Sequence, residues 1–64
     1  MSKKEMRKEF ECWYKYYLTS AKESDSFWKP RYQESASGVV QLAYSIKVIN
    51  KEEHEKFIEE IWSL

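Results

Sequence analysis

Two stretches of the chain carry a clear helical period of apolar positions, and an ambiguous stretch separates them. Near the start, Met6, Phe10, Trp13, Tyr17 and Ala21 recur at helical spacing, with Tyr14 and Leu18 widening the stripe. That spacing marks one face of an amphipathic helix. Ser2-Lys3-Lys4-Glu5, just ahead of it, has the form of a capping box: the Ser hydroxyl accepts from the third helical N–H while the Glu reaches back to the cap. The pattern predicts a helix over Lys3 to Lys22, ended by Glu23-Ser24-Asp25-Ser26, where Ser and Asp side chains compete for backbone hydrogen bonds. At the other end, Asn50-Lys51-Glu52-Glu53 resembles a second capping box, and its early acidic residues suit the positive end of a helix dipole. Phe57, Ile58, Ile61, Trp62 and Leu64 then provide the apolar face of a helix that runs almost to the C-terminus.

Between them, Pro30 lacks an N–H and biases Lys29 towards an extended conformation, which suits a turn or the first turn of a helix. From Arg31 to Ile49 two templates compete. The helical one aligns Ser35, Val39, Leu42, Ile46 and Ile49, with Tyr32, Ala36 and Ala43 beside them. The strand one aligns Val40, Leu42, Tyr44, Ile46 and Val48, and the β-branched content favours it locally. A lone strand needs a partner, and the only upstream candidate, Phe27 to Glu34, contains Pro30 and several polar residues. Context therefore selects helix. The expected fold is all-α, a small three-helix bundle or a helical hairpin with a third helix. The alternative is α-β-β-α with a hairpin at 27–49, turning at Ser35-Ala36-Ser37-Gly38.

Length limits what such a fold can be. A chain of 64 residues supports one domain, 1–64, with a marginal core. Its single cysteine, Cys12, cannot close an internal disulfide, and a lone thiol fits a reducing compartment. One histidine, His54, leaves a structural zinc site without its ligands, so no metal or cofactor is expected. No apolar run reaches the roughly 20 residues of a membrane span, and charged residues follow the start where a signal peptide would be apolar. These features point to a cytoplasmic protein. Stability must then come from unusually good packing or from oligomerisation, and an aromatic content of 17% favours the second.

Chemistry adds little. Net charge is zero, with eight Lys or Arg against five Asp or Glu in residues 1–32 and three against six in residues 33–64. A basic front and an acidic back can complement each other within or between chains. Lys3, Lys4, Arg7, Lys8 and Lys15 near Tyr14 and Tyr16 are interrupted by Glu5, Glu9 and Glu11, which argues for a mixed-charge helix face over a nucleic-acid surface. Cys12 and His54 form the only conceivable thiol–imidazole pair, with no oxyanion site beside either. Glu52, Glu53, Glu55, Glu59 and Glu60 have the spacing of a solvated helix face, and one glycine excludes phosphate-binding loops.

The aromatic residues are the most informative feature. Tyr16 lies off the main stripe of the first helix, and Phe27 and Trp28 adjoin a turn where burying both is difficult. Trp and Tyr dominate binding hot spots, so these three are the candidate partner-binding residues. If Val39, Leu42, Ile46 and Ile49 face inward, then Val40, Tyr44 and Val48 point out and form a candidate self-association patch for a two-fold homodimer. The resulting expectation is a small non-enzymatic protein-binding module, self-associating, that modulates or inhibits a larger protein. In size and composition it is similar to the small accessory proteins of phages and mobile elements. Nucleic-acid binding or transcription regulation, and a small-ligand sponge, are the alternatives.

Overall fold

The two capping boxes form as the sequence implies. Ser2 Oγ accepts from the Glu5 N–H at 3.2 Å, and Asn50 Oδ1 accepts from the Glu53 N–H at 2.9 Å. Each acidic side chain accepts in return from the cap residue's own N–H. The computed structural model describes all 64 residues, and from these starts run α1, Lys3–Glu23, and α3, Lys51–Trp62. Between them lies α2, Lys29–Ser45. The chain is an all-α three-helix bundle, and the hairpin alternative at 27–49 is not formed. Asp25 organises the entry to α2: its Oδ1 accepts from the N–H groups of Phe27 and Trp28, and Pro30 occupies the first turn, where a missing N–H does no harm. No helix is long and apolar enough to cross a membrane.

The helices run up, down and up. Arg7 meets Glu53 and Tyr14 meets Glu60, so α1 and α3 are parallel, while Gln33 on α2 meets the Ile61 carbonyl of α3. Phe57 lies edge-on to Phe10 at 5.3 Å and against Tyr14 at 4.7 Å, filling the space between α1 and α3. The core joins these rings to Ala36, Val40, Ala43, Ile49 and Ile61.

Here the inward face of α2 differs from the sequence expectation. Val40 is fully buried, while Leu42 is 62% exposed and Ile46 lies out with it; Ile49, past the helix end, and the flanking Ala36 and Ala43 are buried as expected. The inward stripe is Gln33, Ala36, Val40 and Ala43. Volume decides this. Large rings from α1 and α3 already occupy the centre, and two alanines flanking one valine let α2 approach them closely. Leu42 and Ile46 in the same place would overfill it. Val40 therefore cannot belong to an exposed self-association patch. Gln33 shares the stripe without leaving a polar group unpaired, because its Nε2–H donates to the Ile61 carbonyl at 2.9 Å, one of the acceptors left free at the end of α3.

Helix α2 ends in a motif the sequence conceals. Lys47 has φ of 63°, in the left-handed region. The Val48 N–H donates to the Ala43 carbonyl at 2.8 Å and the Lys47 N–H to the Tyr44 carbonyl at 3.0 Å, the paired bonds of a Schellman cap. Glycine normally holds this position, and a lysine there bears a steric cost of about 1 kcal/mol. Lys47→Gly is therefore expected to stabilise the fold by about 1 kcal/mol, raising the melting temperature by roughly 4–8 °C in a thermal scan. An unchanged or lower melting point would contradict the strain assigned to Lys47.

Candidate functional site

An open groove of about 200 Å³ lies between the first half of α1 and the second half of α2. Met6, Phe10 and Trp13 form one wall and Val39, Leu42 and Ile46 the other, and no residue of α3 reaches it. The only charged side chain in the lining is Glu9, whose carboxylate accepts from the Trp13 indole N–H at 3.2 Å. That bond steadies an indole that is 48% exposed. Trp13 also carries the apolar surface along α1, because its ring stacks near Tyr17 at 6.1 Å and meets Tyr16 edge-on at 6.1 Å, while Tyr16 meets Tyr17 at 5.2 Å. The groove thus continues into an aromatic ladder.

A second cluster sits at the turn joining α1 to α2. Phe27 and Trp28 meet at right angles with centroids 5.3 Å apart, and both are more than half exposed. The Arg31 guanidinium lies 4.9 Å from the Phe27 ring and 5.7 Å from the Trp28 ring. A cation beside two rings is an attractive arrangement, and it gathers two exposed rings and the guanidinium donors into one aromatic knob.

Of the residues singled out from sequence, Tyr16, Phe27 and Trp28 are exposed as expected. They fall in two places: Tyr16 on the ladder, Phe27 and Trp28 on the knob. The trio Val40, Tyr44 and Val48 does not form one face. Val40 is in the core, Tyr44 lies against His54 with centroids 4.7 Å apart, and Val48 lines the groove. Leu42 and Ile46, inward by the sequence spacing, line the groove, and Val40 lies in the core in their place. Ala36 and Ala43, at helical spacing around Val40, were the signal for the correct face.

The remaining polar groups hold the helices together. Arg7 Nη2 approaches Glu53 Oε2 at 2.7 Å, its Nε lies 3.8 Å from Glu11, and Nη1 donates to the Val48 carbonyl at 3.5 Å. One guanidinium therefore ties α1 to both the α2–α3 turn and the start of α3. The Arg7 hydrogen bond, with that of the Asn50 N–H, holds the Glu53 carboxyl below its ordinary value, and the bond to Glu53 raises Arg7 in turn. The Tyr14 hydroxyl donates to Glu60; burial, and then that bond, pushes the phenol well above its ordinary value. Cys12 is exposed and free, and no group of three or more His, Cys, Asp or Glu side chains is arranged to hold a metal ion. Compared with protein-family models, curated proteins and solved structures, the chain matches none.

A carboxyl whose folded pKa is depressed contributes stability above its unfolded pKa and loses it as pH falls towards the folded value. Acidification from roughly pH 5 to 3 should thus weaken the wild-type fold through Glu53. Arg7→Met should lose less stability over that window, read as the shift in urea midpoint. Equal acid sensitivity in the two proteins would remove Arg7 as the cause.

Proposed function

We propose that this chain is a small non-enzymatic protein-binding module that self-associates and modulates or inhibits a larger protein. The observation that supports it is the exposure of Trp13, Tyr16, Phe27, Trp28, Leu42 and Ile46 in a chain that buries 9 of its 64 residues. Exposed apolar patches of this extent mark interaction surfaces, and Trp, Tyr and Arg are the residues that carry binding energy when a partner dries them. The α1–α2 groove with its ladder suits self-association. The knob of Phe27, Trp28 and Arg31 suits a larger partner, which would gain two rings already held by Arg31 at little cost in side-chain entropy. Arg7 is committed to Glu53, which subtracts a cation from the front-half cluster that a nucleic-acid reading would use.

The experiment is affinity purification from the native host with the wild-type chain and with Phe27→Ser/Trp28→Ser. The double variant is expected to recover the specific partner at least about ten-fold less well, with an unchanged far-ultraviolet circular dichroism spectrum. Equal recovery by both chains would remove the knob from the function. The non-enzymatic reading has its own check. Cys12→Ser and His54→Ala should each leave the biological activity intact, and loss of activity in both with the fold preserved would overturn it.

A further inference from the structure

We propose that the partner meets the Phe27–Trp28–Arg31 knob through a carboxylate: an Asp or Glu side chain of a protein segment pairs with Arg31 while apolar neighbours in that segment cover the two rings. This rests on the protein-binding reading above and names the chemistry of the partner at that surface.

The side chains from Phe27 to Arg31, in the order Phe, Trp, Lys, Pro and Arg, are either apolar or donors of hydrogen bonds, and none of them can accept one. Those donors are unspent. Both ion pairs of the chain belong to Arg7, so Lys29 and Arg31 are without a carboxylate. The Arg31 guanidinium and the Trp28 indole N–H donate to no other group of the chain, whereas Glu9 holds the indole of Trp13. Nearby acids do not fill the gap. Asp25 turns its Oδ1 to the backbone N–H groups of Phe27 and Trp28, and Glu34, one turn beyond Arg31, is exposed and unpaired.

Drying the rings also dries the cation. The guanidinium carbon lies 4.9 Å from the centre of the Phe27 ring and 5.7 Å from that of Trp28, so a partner covering both exposed rings takes water from Arg31 too. A charge left unpaired in a dried contact opposes binding strongly. The partner must therefore bring an acceptor, and a carboxylate matches the planar guanidinium with two parallel hydrogen bonds while neutralising its charge. A neutral carbonyl does only part of this. Glu23, Asp25 and Glu34, all exposed, flank the knob along the chain and oppose a run of phosphates, so one carboxylate among apolar residues fits where a nucleic-acid strand does not.

The test is selection of a random-peptide phage library on the immobilised full chain, followed by fluorescence anisotropy with the enriched peptides in synthetic form. Enriched sequences are expected to place Asp or Glu beside large apolar residues. Arg31→Gln in the protein, or replacement of the acid by its amide in the peptide, should each weaken binding at least about ten-fold, and the two together little more than either alone. Arg31→Lys should recover part of the loss, since it keeps the charge without the fork. Circular dichroism should be unchanged in both variants, because Arg31 is exposed and makes no bond that holds the helices. Peptides that fail on Phe27→Ser/Trp28→Ser but bind Arg31→Gln at full strength overturn the proposal and leave the protein-binding reading standing. Peptides indifferent to all of these substitutions, or no enrichment, remove the knob as a docking site and the proposal with it. Oligothymidylate that binds the chain and weakens as steeply with Arg31→Gln assigns Arg31 to phosphate and also overturns it.

Discussion

The close approach that Ala36 and Ala43 permit on either side of Val40 is the contact from which the other features of this molecule follow. Phe10 and Tyr14 come from α1, and Phe57 and Ile61 from α3. These side chains are large enough to fill the centre of a bundle, provided the third helix adds little volume of its own. Helix α2 meets that condition by turning its small residues inward. The price is that its larger aliphatic residues, Leu42 and Ile46, face outward, and interiors packed at crystal-like density leave no alternative arrangement that keeps all of them inside.

The polar interactions serve the same geometry. Parallel α1 and α3 are spaced by aromatic rings, and Arg7 with Glu53 at one level and Tyr14 with Glu60 at another fix their register. Gln33 ties the end of α3 to α2 through a carbonyl that would otherwise lack a partner. Partly exposed ion pairs contribute little to stability, typically under about 1 kcal/mol, so the Arg7–Glu53 pair acts more on how α1 and α3 align than on whether they associate. Burial of the rings and of Val40 and Ile61 supplies the driving force.

The molecule is also thin, with principal extents of 36 × 20 × 12 Å. In so flat a body a helix pair covered on one side stays open on the other, and the side of α1 and α2 that α3 does not reach carries the groove and the aromatic ladder. The proposed docking role therefore follows from the limited burial available to a short chain, since the residues that cannot be enclosed are those with most to gain from a partner.

The local elements were legible in the sequence. The capping boxes at Ser2 and Asn50, the turn at Asp25 and the amphipathic stripes of α1 and α3 all depend on contacts between residues a few positions apart, which spacing reveals directly. The exposure of Tyr16, Phe27 and Trp28 followed from their places off the stripe or beside a turn. The facing of α2 was not legible, because its apolar residues cover two overlapping stripes and local periodicity cannot say which one lies inward. That choice depends on the volume left between α1 and α3, a quantity that exists only once those helices are in place. It decided that Val40 is core and that Leu42 and Ile46 are surface. The left-handed Lys47 was hidden for a related reason. Its conformation is imposed by the chain path from α2 into the buried Ile49 and on to α3, and no local propensity of lysine predicts it.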